Sequence, residues 1–133
     1  MMPIDFSDLE LNDMSPIYRQ VIKYVKIKIA TGEAAPGDQI PSRRMLSVIL
    51  NVNPNTIQKC CKIMEDEGFL QSPTCARGIL WFDETMAARI KQTLCIEETV
   101  SYIDEMKRLK LNKEQVAEII DSYWAKGESD GEK

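Results

Sequence analysis

Apolar residues recur at three- and four-residue steps along most of this chain, and the polar groups between them mark where elements start and stop. The clearest stretch is NPNTIQKCCKIMEDEG, Asn53 to Gly68. Ile57, Cys60, Cys61 and Met64 follow the i, i+3, i+4, i+7 spacing of an amphipathic helix. Pro54 falls in its first turn, where the missing N–H costs nothing, behind Asn53 as a cap, and Gly68 is the C′ stop. A shorter helix from Ser42 to Leu50 precedes it, with Met45, Leu46, Ile49 and Leu50 as its apolar set. Only Asn51-Val52 separates the two, and Asn tolerates the left-handed backbone of a tight turn. The pair outlines a helix-turn-helix, whose second helix enters the major groove, although two consecutive helices of any small helical domain share the pattern.

Upstream, Ile17, Val21, Tyr24, Val25 and Ile29 form one stripe of a helix opened by Ser15 and Pro16 and closed at Thr31-Gly32. Residues 1–14 read as an arm: acidic groups separate Phe6, Leu9 and Leu11, so no stable core is expected there, only a short strand or loop on the body or on a partner. Phe69–Ser72 and Gly78–Trp81 are strand-like runs around Pro73–Arg77, a β-hairpin or wing. After Asp83, Met86, Ile90, Leu94, Ile96, Val100, Ile103, Met106 and Leu109 trace a helix to about Lys110, bent or interrupted near Cys95–Glu97. Asn112 caps a last helix with Val116, Ile119, Ile120, Tyr123 and Trp124 on its apolar face. The expected fold is therefore mainly α with a small β-hairpin wing: arm 1–14, winged helix-turn-helix 15–81, helical element 82–126 and a flexible polar tail 127–133.

Charge changes the picture. The net charge of -4 argues at first against a polyanion. Its distribution is uneven: residues 1–14 hold four acidic and no basic groups, residues 15–81 nine basic and five acidic, and residues 82–133 eight basic and twelve acidic. A positive middle (9 − 5 = +4) between two negative flanks suits a DNA-reading module joined to a part that must not bind DNA. The chain has no histidine, no CxxC pair and no glycine-rich phosphate loop, so neither an enzyme site, a metal site nor a cofactor is expected. The acidic opening is unlike a signal peptide and no apolar run is long enough to span a bilayer, which makes a cytoplasmic protein without membrane contact the expectation. Cys60 and Cys61 read as small buried hydrophobes; Cys75 is the only cysteine expected on a loop, where a redox role is the minor alternative to none.

Double-stranded DNA is the partner these features favour. Ser42 caps a helix whose free N–H groups suit a phosphate. Arg43 and Arg44 there oppose the helix dipole unless phosphates, or Glu65, Asp66 or Glu67, offset them. Asn53, Asn55, Thr56, Gln58 and Lys59 form the leading edge of the second helix; Asn and Gln can pair bidentately with adenine. Arg77 can reach a minor groove or phosphate, with Gly78 beside it allowing close approach, or the hairpin is plain. Arg19, Lys23, Lys26 and Lys28 are a solvated face or supply a phosphate contact or two. The two C-terminal stripes cannot both be buried by so small a domain. Met86, Ile90, Leu94, Val100, Ile103, Met106, Leu109, Ile119, Ile120, Tyr123 and Trp124 are accordingly candidates for a homodimer interface matching a palindromic operator, the alternative being a helical cap over the wing.

The stretch PSRRMLSVILNVNPNTIQKCCKIMEDEGFL resembles the winged-helix domain of the GntR family of bacterial transcriptional regulators. Pro16-Ile17-Tyr18-Arg19-Gln20 is similar to that family's P-[IL]-Y-x-Q opening. Gly32, Pro36, Gly37, Ile40, Pro41, Ser42, Arg44 and Leu46 match its next segment, and Asn55, Thr56, Ile57, Lys59 and Cys60 its recognition helix. Glu67-Gly68-Phe69-Leu70 matches the exit. The resemblance implies that Arg44 grips a phosphate while Arg43 fills a variable place, that Asn53, Asn55, Thr56 and Gln58 face DNA, and that Arg77 and Gly78 belong to the wing. Pro54 and Gln58 stand where arginine is frequent, Asn51 where glycine is usual, and the wing has less glycine and charge, which implies lower electrostatic affinity and more reliance on dimerisation. The Asn-Pro-Asn-Thr opening and short tail are similar to the YtrA subfamily, typically repressors often associated with genes for ABC transporters. The function implied is a palindrome-binding repressor, with an activator or a protein-interaction adaptor as alternatives. No effector domain is visible, so any small-molecule effector is unidentified.

Overall fold

The computed structural model describes residues 3–72 and 77–131. The elements are α1 (Ile17–Ala30), α2 (Arg43–Leu50), α3 (Pro54–Asp66), β1 (Leu70–Gln71), β2 (Ile79–Leu80), α4 (Glu84–Arg108) and α5 (Lys113–Gly131). They fall into two compact units, Met1–Leu94 and Cys95–Lys133. The fold is mainly helical, a helix-turn-helix with a β-hairpin wing followed by C-terminal helices, as the apolar periodicity predicts.

The core of the first unit is built on α1 and α3. Val21, Ile22, Val25 and Ile29 of α1 meet Ile57, Cys60, Cys61 and Met64 of α3, and Ile40, Leu46, Phe69, Leu70 and Leu80 close it. The four buried positions of α3 are those its spacing marks. In α1 the stripe is broader than expected and includes Ile22, while Ile17 and Tyr24 pack only in part. In α2 the expected apolar set is half right. Leu46 is buried and Leu50 partly so, but Met45 and Ile49 are 51% and 45% exposed. An eight-residue helix presents one narrow line to its neighbour, and Leu46 with Leu50, four residues apart, occupy it.

The N-terminal segment lies on the body, one of the two expected placements, but contributes to the core where no stable core was expected. Ile4 and Phe6 are buried in the core, with Leu9 and Leu11 packed against it. Ile4 donates its N–H to the Gln39 carbonyl at 2.8 Å, and the Tyr24 hydroxyl donates to the Asp5 carbonyl at 2.8 Å. The Gln20 amide donates to the carbonyls of Asn12 and Ser15 at 2.8 and 2.7 Å while its oxygen accepts from the Asn12 N–H. Alternation resolves the sequence conflict: Ile4 and Phe6 point inward while Asp5 and Ser7 point out, so the acidic residues never enter the core.

β1 and β2 pair antiparallel with Leu70 opposite Leu80 and Gln71 opposite Ile79. Gln39 extends the ladder through bridges to Ile79 and Pro3. Met86 and Ile90 at the start of α4, expected at a dimer interface, pack instead against this core, because the hairpin returns the chain alongside it. α4 continues as helix through Cys95–Glu97 without the expected interruption; no glycine or proline occurs there to break it. In the second unit, α4 ends in a Schellman turn: the Leu111 N–H bonds the Met106 carbonyl at 3.1 Å and the Lys110 N–H that of Lys107 at 3.0 Å, with Lys110 at φ 68°. Asn112 and Gln115 then cap α5 reciprocally at 2.8 and 2.9 Å. α5 runs on to Gly131, past residue 127, where the polar tail was expected to begin.

Candidate nucleic-acid interface

The turn between α2 and α3 takes the conformation its sequence calls for. Asn51 sits in the left-handed region at φ 54°, ψ 51°, and its N–H satisfies the end of α2. Asn53 then caps α3 by accepting the Asn55 N–H on its side-chain oxygen at 2.8 Å, with Pro54 at the first helical position. This assigns Asn53 to its own backbone. Asn55, Gln58 and Lys59 are exposed, and Thr56 is half-buried. These four project away from the buried line Ile57, Cys60, Cys61, Met64, so the polar edge of α3 is available to a ligand.

Ser42 caps α2, accepting the Met45 N–H at 3.2 Å. The two arginines that follow differ. Arg43 lies 3.4 Å from Glu65 of α3 and 3.4 Å from the Ser72 hydroxyl at the end of the first wing strand. Its charge is partly answered within the protein, and it links α2, α3 and the wing. Arg44 is exposed and, among the described residues, makes no ion pair. It retains both its charge and the donor fork that suits a phosphate.

Arg77 is exposed. Gly78 is buried: a Cβ there would meet Leu70 Cδ1 at 2.8 Å and Ile40 Cγ1 at 2.9 Å. Its carbonyl also accepts the Ile40 N–H at 2.9 Å. The glycine expected to let the backbone come close or turn freely is thus tightly packed where the wing meets the body, and a side chain there would force Leu70 or Ile40 to shift. Cys75 lies outside the described residues.

On α1, Lys26 pairs with Glu67 and Lys28 with Glu33, each at 2.8 Å, so both charges are answered internally; Arg19 and Lys23 are exposed. Lys59 is held differently, its Nζ standing 4.0 Å from the centroid of the Tyr18 ring. Tyr18 carries no site role in the sequence pattern, because periodicity within one helix does not show which residue of another it meets. Burial pushes the Cys60 thiol up to about 12, with the neighbouring Cys61 adding to the effect, and burial raises Cys61 as well. Both are inert core groups at neutral pH. Among the described residues, no group of three or more His, Cys, Asp or Glu is placed to hold a metal ion, and no helix is long and apolar enough to cross a membrane.

In the second unit, Ile96, Val100, Tyr102, Ile103, Leu109, Ile119, Ile120, Tyr123 and Trp124 are 40–69% exposed. Leu94, which ends the first unit, and Met106 are half-buried. A groove of about 500 Å³ between the end of α4 and α5 is lined by Tyr102, Ile103, Met106, Val116 and Ile120 among others.

Comparison with known proteins places this geometry. The sequence pattern of “Bacterial regulatory proteins, gntR family” matches residues 17–74. The HTH-type transcriptional repressor YtrA of Bacillus subtilis (strain 168) is 41% identical over 112 residues, 84% of this chain and 74% of the relative. A GntR family transcriptional regulator from Listeria monocytogenes superposes with a TM-score of 0.72 at 28% identity, covering 84% of this chain and 98% of the other. YtrA from Sulfolobus acidocaldarius, a GntR-family transcription factor, gives 0.53 at 29% identity over 73% and 99%.

Proposed function

The chain belongs to the gntR family of bacterial regulatory proteins and is a non-enzymatic, DNA-binding transcriptional regulator; from that premise we propose that it is a YtrA-type repressor that binds a palindromic operator as a homodimer. The observation that carries this reading is the division of labour at the helix-turn-helix. Asn53 caps α3 and Arg43 lies 3.4 Å from Glu65, so each also serves the fold. Arg44, Asn55 and Gln58, by contrast, are exposed, their side chains in no ion pair or cap among the described residues, and Thr56 beside them is half-buried.

Arg44 and the free N–H groups at the start of α2 set the protein on phosphates. Asn55, Thr56 and Gln58 read base edges in the major groove, each good bidentate contact discriminating by about 1–3 kcal/mol. Arg77 adds a phosphate or minor-groove contact from the wing. Dimerisation through α4 and α5 is supported by the apolar surface of the second unit. Nine large side chains there, exposed by 40% or more, exceed the scattered apolar residues usual on a monomer. Val100, Ile103, Met106, Leu109, Ile119, Ile120, Tyr123 and Trp124 are the interface residues, and the α4–α5 groove receives side chains of the second copy. Repression, rather than activation, is supported by the Bacillus relative, itself a repressor. The place of action is the cytoplasm, where the operator lies.

Fluorescence anisotropy tests the reading, titrating the protein against its own upstream promoter DNA and a scrambled duplex at low and physiological salt. The expected result is a preference for the promoter that survives the higher salt, at two chains per duplex, reduced more by Arg44→Ala than by Arg43→Ala. Equal, weak binding to both duplexes that vanishes with salt, repeated on other promoters, would rule out sequence-specific repression.

A further inference from the structure

We propose that Tyr18 is a positioning residue of the DNA interface, whose ring holds the Lys59 ammonium at the flank of the reading edge of α3, set to meet a backbone phosphate. The inference rests on the DNA-binding reading above and extends it to a residue of α1.

The geometry is specific. Lys59 Nζ stands 4.0 Å from the Tyr18 ring centroid, well within the range of a cation–π contact. Tyr18 is half-buried on α1, and its backbone carbonyl oxygen lies 3.7 Å from Cys60 Sγ, so the backbone that carries the ring sits beside α3 at the residue next to Lys59. Lys59 in turn stands four residues after Asn55 and three after Thr56, which puts it on the same strip of helix surface.

Lys26, Lys28 and Lys126 also stand over rings, at 5.9, 5.1 and 5.0 Å, but the Lys59 contact is the closest of the four. Among the described residues, Lys59 meets its ring without the carboxylate that Lys26 and Lys28 also pair with. Lys62, the other lysine of α3, pairs with Asp66 at 3.2 Å. Lys26, Lys28 and Arg43 also meet carboxylates. A carboxylate cancels the charge it holds. A neutral ring restrains the side chain while leaving the positive charge intact and the N–H donors free for a phosphate oxygen. The ring thus removes part of the rotamer freedom that a surface lysine would otherwise lose on binding. The Tyr18 hydroxyl plays no part in this, so phenylalanine should serve as well.

The test is a double-mutant cycle read by anisotropy across a salt series. The probe is a labelled duplex recovered by selection from a random pool with the unmodified protein. Lys59→Gln should lower the slope of log affinity against log salt by about 0.9 per chain bound. Tyr18→Leu should weaken binding by about two- to fivefold per chain when Lys59 is present. It should have no effect in the Lys59→Gln protein, and Tyr18→Phe should match the unmodified protein. An equal loss from Tyr18→Leu in both backgrounds would overturn the proposal in favour of a purely structural role. Tighter binding by Tyr18→Leu would overturn it too, because the ring would then be withholding the charge. Should Tyr18→Leu fail to fold, NMR of the unmodified protein and of Tyr18→Phe decides. Lys59 ε-methylene protons shifted upfield of those of Lys62 by the ring current support the contact, and unshifted protons overturn it. If no duplex is selected at all, the DNA-binding reading and the proposal fall together; a selected duplex with an additive cycle removes only the role of Tyr18.

Discussion

Gly78→Ala separates two roles for the wing glycine. Gly78 is outside the positive-φ region, so an alanine there meets no backbone strain, and any cost must come from space. The added Cβ would lie 2.8 Å from Leu70 Cδ1, 2.9 Å from Ile40 Cγ1 and 3.0 Å from Ile40 Cδ1. Contacts this short force movement. Although two of the atoms are side-chain ends, Ile40 and Leu70 are only 1% and 3% exposed and have little room to yield. Overpacking of this kind costs about 1–3 kcal/mol, and three close contacts on two confined side chains put the expectation near 2 kcal/mol. Urea unfolding followed by circular dichroism measures it, as a lower midpoint at unchanged slope. Ile40→Val, which alone should cost about 0.5–1.5 kcal/mol, removes one of the clashing atoms. In the Gly78→Ala background its cost should shrink by at least about 0.5 kcal/mol. If Gly78→Ala unfolds within about 0.5 kcal/mol of the unmodified protein, within the usual range of surface substitutions, yet loses DNA binding, the packing argument is refuted and the glycine serves the DNA directly.

Four further outcomes follow from particular contacts. Phe6→Ala should destabilise by about 3 kcal/mol in the same unfolding assay, since Phe6 is 2% exposed and stacks at 5.3 Å on Tyr24; an arm lying loosely on the body would lose almost nothing. Lys110→Gly should stabilise the second unit by up to about 1 kcal/mol, because Lys110 holds φ 68° in the Schellman turn, visible as a higher melting temperature. Cys60 and Cys61 should resist a thiol reagent at neutral pH until the protein is unfolded, whereas the exposed Cys95 reacts at once. The raised Cys60 thiol also fixes a sign: its neutral form is favoured in the fold, so its contribution is complete below the ordinary value of 9.0 and declines as pH rises toward about 12. Against a Cys60→Ala control, unfolding free energy should therefore fall by roughly 1.4 kcal/mol per pH unit above 9.

The sequence alone determined what depends on near neighbours along the chain. The amphipathic period of α3, the Asn53-Pro54 start, the left-handed Asn51 and the Asn112 cap all involve residues within a few positions of one another, and each stands where local chemistry puts it. The candidate edge Asn55, Thr56, Gln58 and Lys59 was legible for the same reason, being the complement of a buried line. Tertiary structure decided what depends on contacts between distant residues. It pairs Arg43 with Glu65 and leaves Arg44 without an ion partner among the described residues, although the two are adjacent and chemically identical. It draws Ile4 and Phe6 into the core by bonding the first residues to Gln39, turns Met45 and Ile49 of α2 outward, and assigns Met86 and Ile90 to the first unit. It also sets Tyr18 beneath Lys59, forty-one positions along the chain. A helical period states which side of an element is apolar; which other element covers it, and which charge meets which, is settled only when several elements compete for the same space.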